Sequence, residues 1–208
     1  CEQRALYFQS YIQSQLLYDL TRQWDLRRYK DLASLLQIFA VYSSKPLNIQ
    51  EICRKISGNA LTVSSYLNAL EAMYLIDELP AWESKDYKIG SKTPEIFLTD
   101  SALMAHLLNI HTTDDLLSSQ EKMANEGGKL VETWTYTQLI PEVELHPLWK
   151  MHHFRNKNNQ EIDFMITDEK NRKLGIEIKA AESINTDDFK HLKWFSKQVD
   201  DFRGIVLY

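Results

Sequence analysis

Gln160-Glu161-Ile162-Asp163-Phe164-Met165-Ile166, followed by Gly175-Ile176-Glu177-Ile178-Lys179, is the stretch that decides the fold. The two segments read as the arms of a β-hairpin, with Asp168-Glu169-Lys170-Asn171 supplying polar turn chemistry between them. Strand side chains switch face at every residue. In the second arm Leu174, Ile176 and Ile178 therefore oppose Gly175, Glu177 and Lys179, and in the first arm Ile162, Phe164 and Ile166 oppose Asp163. Two carboxylates and a lysine are expected to converge on one face of a hairpin whose other face is apolar. That combination suits a hard divalent cation and a phosphate.

Composition bounds the rest. The chain has 208 residues, enough for one large domain or two small ones. Hydrophobic residues make up 44% and charged residues 25%, the balance of a soluble globular protein. The net charge of −5 gives no bulk attraction to nucleic acid, so any such binding has to come from local patches. Cys1 and Cys53 alone suggest neither a disulfide framework nor a zinc cluster, and a reducing cytoplasm is expected. No apolar run is long enough for a bilayer span, and no signal-peptide pattern opens the sequence. A chain that starts at Cys1 rather than at methionine is expected to be a fragment of a longer protein.

Ahead of the hairpin, apolar residues recur at helical spacing over 5–30 and 31–43. Asn48 is placed to cap a short helix, Ile49 to Ile56, and Thr62 or Ser64 to start the next, with Val63, Tyr66, Leu67 and Leu70. Strands are expected over 75–82 and 95–99, with the polar segment Lys85 to Lys92 between them. Residues 31–99 thus fit a winged helix, that segment being the wing. Asp100-Ser101 can cap a helix to Leu108, and the polar run 111–126 is the candidate linker. Gly127-Gly128 precedes a strong helix that Pro141 is expected to stop. Strand-like pieces follow at 143–149, 151–155, 161–167 and 173–179, then an amphipathic helix near 187–197 and a strand from Arg203 to Tyr208. The expected class is α+β overall: a helical winged-helix domain over 1–110, then an α/β domain with a mixed central sheet over 127–208.

The order Glu132 on a helix, then Asp163, then Glu177-x-Lys179 resembles the PD-(D/E)xK nuclease-like superfamily, the restriction-endonuclease-like fold. The resemblance implies Glu132, Asp163 and Glu177 as ligands of magnesium or manganese. It makes Asp163, Glu177 and Lys179 the catalytic set, with Lys179 orienting the attacking water or stabilising charge on phosphorus. Magnesium prefers oxygen ligands and keeps waters, which suits this donor set. Further short motifs occur in fixed order: Tyr11-Ile12, Ile96-Phe97-Leu98-Thr99-Asp100, Gly128-Lys129-Leu130-Val131-Glu132-Thr133, His153-Phe154-Arg155, Glu161-Ile162-Asp163-Phe164 and Ile176-Glu177-Ile178-Lys179. Together they look like the C-terminal half of a family of prokaryotic AAA-type P-loop ATPases. In that family a nucleotide-binding domain precedes a domain of unknown function. No Gly-x-x-x-x-Gly-Lys-Ser/Thr loop is present, so the resemblance assigns ATP to an N-terminal half outside these residues.

The candidate recognition helix, 61–73, carries Thr62, Ser64, Ser65 and Asn68 but no lysine or arginine, and its one charge is Glu71. Major-groove helices normally have cationic support. Packing or protein contact is therefore the preferred use of the winged helix, with Lys85, Lys88 and Lys92 as the DNA alternative. Arg155 could fork onto a phosphate, although pairing with a carboxylate is the commoner fate. Glu132 could equally be a first-turn carboxylate favoured by the helix dipole. Adjacent His152 and His153 point to opposite strand faces and read as structural, while Trp134, Trp194 and Phe195 read as core. Two functions follow. One is a metal-dependent DNase-like effector of the ATPase half; the other is a catalytically silent adaptor that assembles a homo-oligomer or binds protein or DNA for it.

Overall fold

Asn48, Asn59 and Asp100 each open a helix by accepting a backbone N–H that the first helical turn leaves unpaired. Asn48 Oδ1 takes the amide of Glu51 at 3.1 Å, Asn59 Oδ1 that of Thr62 at 2.9 Å, and Asp100 Oδ1 those of Ala102 and Leu103 at 2.7 and 3.0 Å. The second of these starts its helix at Ala60, so Thr62 and Ser64 lie inside it rather than at its start. The computed structural model describes residues 2–16, 18, 29–56, 58–83 and 90–208. Helix α1 (Glu2–Ser10) runs into a π-helical segment, Tyr11–Leu16, and most of the remaining helix expected over 5–30 lies outside the described residues.

Helices α2 (Tyr29–Tyr42), α3 (Ile49–Ile56), α4 (Ala60–Ala72) and α5 (Ser101–Leu107) turn their apolar faces onto one core. Leu35, Phe39, Ile52, Val63, Leu70 and Ile76 are fully enclosed there. A three-stranded sheet closes that half: β1 (Lys45–Pro46), β2 (Ile76–Leu79) and β3 (Glu95–Leu98), in the order β1-β3-β2 and antiparallel throughout. The polar run 111–126 holds α6 (Thr113–Leu117), opened by a capping box between Thr112 and Asp115, and α7 (Gln120–Lys122). A π-helical turn, Met123–Gly127, then carries the backbone into α8 (Gly128–Glu144).

Pro141 does not stop α8. Proline removes one intrahelical hydrogen bond, but the backbone recovers: the amide of Leu145 donates to the Pro141 carbonyl at 3.1 Å. The strand expected over 143–149 is consequently the end of this helix and the turn after it. Trp134, expected in the core, projects outward at 54% exposure.

The second sheet has the order β4 (Lys150–Arg155), β5 (Glu161–Thr167), β6 (Lys173–Ile178), β7 (Phe202–Leu207). The first three strands are antiparallel neighbours and β7 lies parallel to β6, so the sheet is mixed. The β5–β6 turn is built by Asp168, whose side chain accepts the amides of Lys170 and Arg172, with Asn171 at φ 61°. Helix α8 covers one face through Tyr136 and Val143 against Met151, Phe164, Ile176 and Ile178. A 3₁₀ turn, Thr186–Phe189, leads into α9 (Lys190–Phe195), which covers the other face through Leu192 and Phe195. Gly175 and Gly204 sit opposite one another on β6 and β7 beneath Leu192. A Cβ on Gly204 would stand 2.9 Å from the Leu192 Cβ, so these glycines set how closely α9 approaches the sheet. The chain is α+β overall. Among the described residues no helix is long and apolar enough to cross a membrane.

The two sheets are joined. Past β2 the chain continues to Ala81, which bridges His153 of β4 in parallel. The His153 amide donates to the Pro80 carbonyl at 3.0 Å, and the Trp82 amide donates to the His153 carbonyl at 2.7 Å. Leu79 and Phe97 from the first sheet lie in the core under α8, with the Phe97 ring stacked on Tyr136 at 4.5 Å. Trp82 lies in the core under α9.

Candidate functional site

A bulge in β5 positions Asp163. His152 pairs with Met165 and Phe154 pairs with Ile162, so His153 faces two residues, Asp163 and Phe164. An extra residue in one strand bends it and re-aims its side chains. The strict alternation expected along this arm is therefore broken: Ile162 joins the core under α9, while Phe164 and Ile166 pack toward α8. From the bulge onward β5 and β6 part company. Their pairing ends at Phe164 and Ile176, whereas β6 stays paired with β7 as far as Ile178 and Leu207. The amide of Ile178 donates instead to Asp163 Oδ2 at 2.7 Å. A carboxylate thus takes a backbone position in the ladder where the two strands diverge.

Glu177 is 1% exposed. Its Oε2 meets the Lys179 ammonium at 3.3 Å; its Oε1 has no hydrogen-bond partner and lies 3.8 Å from His191 Nδ1 on α9. Burial pushes the Glu177 carboxyl up to about 8, and repulsion from Asp163 adds to the effect. Glu132, one turn into α8, is likewise raised to about 8 by burial and then by Asp163. Asp163 reaches only about 6, because the Ile178 amide and the Lys179 ammonium offset its burial. Burial alone would lower Lys179, but Glu177 and Asp163 outweigh it and hold the ammonium above its ordinary range. The four residues singled out in the sequence are thus brought into one electrostatic group. Among the described residues, however, no group of three or more His, Cys, Asp or Glu side chains stands ready to hold one metal ion. Because the helical path is continuous from Gln120, Glu132 does not sit at a free helix N-terminus, and the dipole explanation for it falls away.

Beside this group lies a polar cleft of about 240 Å³ whose lining mixes the carboxylates Glu132, Asp163, Glu161 and Glu95 with the cations Lys45, Lys129 and Arg155. Arg155 pairs with Glu161 at 2.6 Å and approaches Glu95 at 3.7 Å. Glu95, from the first sheet, is 6% exposed and is pushed up to about 8 by burial, against the pull of Arg155. The buried His153 bonds the Thr93 carbonyl through Nε2 at 2.9 Å, and burial lowers it to about 4. Glu95, His191, Lys45 and Lys129 were not legible as site residues. All four arrive through packing between separate elements, and no spacing along the chain announces it.

The surface beside α4 is acidic. Glu71 is raised by burial and by Glu78 and Asp77 nearby. Lys92 pairs with Glu83 at 3.5 Å in the open, and Lys85 and Lys88 lie outside the described residues.

This α+β architecture, with a buried carboxylate group where two strands diverge, can be set beside known families. The chain belongs to the family described as Domain of unknown function (DUF8612), whose model matches residues 2–114. Residues 127–208 match the model of a second family, Domain of unknown function (DUF4143). Neither the curated proteins nor the solved structures contain a match.

Proposed function

We propose that this chain is the effector module of an AAA-type ATPase and carries a divalent-cation-dependent DNA phosphodiesterase site of the PD-(D/E)xK kind. The ATPase association draws support from the DUF4143 match, a domain often found with AAA ATPases, and from the ordered motifs quoted above. The observation that carries the chemistry is the coupled group of Glu132, Asp163 and Glu177 with Lys179. Three carboxylates raised by burial, Glu132 and Glu177 further by Asp163 and Asp163 by Glu161, form a site that favours added positive charge. The donors are all hard oxygens, and the orphaned Glu177 Oε1 is one unsatisfied acceptor among them.

Glu132, Asp163 and Glu177 would hold magnesium or manganese, which when bound supplies Lewis-acid charge and acidifies a water. As folded, these side chains do not surround a common point, so cation binding requires them to rotate inward. Lys179 stays protonated and presents its ammonium beside the carboxylates, where it offsets charge developing on a phosphate. The Ile178 amide fixes the Asp163 carboxylate, and Glu177 tethers the Lys179 side chain.

Isothermal titration of manganese tests this reading. Wild-type chain should bind, and Asp163→Asn should lose both binding and metal-dependent cleavage of linear or branched DNA while melting cooperatively. Equal titrations for the two proteins would refute it. The second reading, a silent adaptor for the ATPase, draws on the lack of a ready-made ligand group among the described residues and on α4, which has no cation and carries one acidic residue, Glu71. It requires a stable complex or oligomer that is indifferent to metal.

A further inference from the structure

Two cations with no role in the site described above lie beside it. Lys45 comes from β1 of the first sheet and Lys129 from the first turn of α8, and both line the cleft that holds Glu132 and Asp163. They are neighbours: after burial, Lys45 is the main influence that lowers the Lys129 ammonium, to about 8. Among the described residues no salt bridge reaches either one, whereas Arg155 is tied to Glu161 and Lys92 to Glu83. The Lys129 ammonium donates to the Val41 carbonyl at 3.1 Å, which anchors it at the end of α2. Lys45 also lines a wider hollow of about 590 Å³, whose wall carries Asn48, Gln50 and Lys55. That hollow is mixed in character, with Glu51, Val41 and Leu47 also in its wall, and it meets the cleft at Lys45.

Glu126 and Glu132 attract Lys129 from beyond salt-bridge distance, but burial and the neighbouring Lys45 outweigh them, and an anion between two such ammoniums relieves their repulsion. We propose that Lys45 and Lys129 form a phosphate clamp that seats the sugar-phosphate backbone of a nucleic acid strand across the cleft, with the strand continuing over Lys55. The proposal rests on the phosphodiesterase reading for what happens next to the seated phosphate, but the binding itself needs no metal. It also assigns the nucleic acid to β1 and α8 rather than to α4, whose Glu71 lies near Asp77 and Glu78. A clamp built from one residue of each half requires both halves in their folded arrangement.

The test is fluorescence anisotropy of labelled single-stranded and duplex 20-mers titrated with the whole chain in EDTA. Three proteins are compared: wild type, the double variant Lys45→Ala/Lys129→Ala, and the double variant Lys45→Arg/Lys129→Arg. The alanine pair should bind about tenfold more weakly. For duplex, its salt dependence should flatten by about two units of slope, one per phosphate contact. The arginine pair should restore binding, since a guanidinium grips phosphate at least as well. If affinity is unchanged in the alanine pair, if the arginine pair fails to rescue it, or if wild type binds neither DNA, the clamp is overturned. Which of the two 20-mers responds identifies the strand form. EDTA removes the cation requirement, so this binding is read independently of any metal. A failed manganese titration would therefore sink the phosphodiesterase reading without altering this result.

Discussion

Asp163 is an acceptor first and a charge second. Its Oδ2 replaces a ladder carbonyl for the Ile178 amide, and asparagine keeps a carbonyl oxygen that can do the same. Asp163→Asn should therefore leave the melting temperature unchanged or raise it by relieving repulsion, a direction that a thermal melt reads directly. The raised carboxyls make a second prediction, in pH. A group whose folded pKa lies above its unfolded value stabilises the fold below the unfolded pKa and loses that contribution as pH rises through the folded one. Asp163 at about 6 and Glu132, Glu177 and Glu95 at about 8 all have this sign. Stability should thus decline from about pH 4, where these carboxyls ionise in the unfolded chain, to about pH 8 in a buffer series, and Glu132→Gln should flatten the decline. A profile that rises over this window would contradict the burial of these groups. At Gly175 a Cβ would stand 2.5 Å from the tip of the Phe202 ring and 3.1 Å from Leu192. Gly175→Ala should accordingly destabilise by about 1–3 kcal/mol in urea unfolding, as overpacking does.

At the scale of elements, the sequence was most legible where one local rule decides. The β5–β6 hairpin, its Asp168 turn and the helix openings at Asn48 and Asp100 depend on residues within a few positions of one another, and these formed as expected. Asn59→Ala should remove the cap of α4 and cost about 1 kcal/mol, measurable by chemical denaturation. Legibility failed where tertiary packing overrides a local signal. Pro141 reads as a stop, yet Val143 is buried against the second sheet and holds the last turn of α8 in place. The bulge at Asp163 needs His153 opposite it, and nothing within the β5 segment itself reveals a register set by β4. Within the candidate linker 111–126 the Thr112 and Asp115 capping box opens a short helix, none of whose residues is buried. Trp134 followed the apolar period of α8 and still faces outward, because α8 buries Thr133, Tyr136 and Val143 instead.

At the scale of the molecule, the candidate site depends on both halves. Glu95 and Lys45 come from the first sheet, Glu132 and Lys129 from α8, and Asp163 and Glu177 from the second sheet. Leu79, Trp82 and Phe97 complete cores that otherwise belong to residues beyond 127. A fragment comprising 127–208 should therefore lack the near-ultraviolet signature and sharp melt of the whole chain, whereas the whole chain should unfold in one transition by both probes. Two separate transitions would mean that the shared cores contribute little. The sequence could order the elements, but it could not show that residues of the helical half finish the core of the other.

Between Pro80 and Trp82 the backbone is stitched to His153 from both sides, and the amide of Ser91 is stitched to the carbonyl of Arg155 at 2.6 Å. In mechanical terms this seam is a backbone-to-backbone coupling between the two sheets. A pull or twist applied to the helical half passes straight into β4, the strand that holds Arg155 and faces the Asp163 bulge. A motor attached to such a body would strain the carboxylate group itself rather than swing it on a tether.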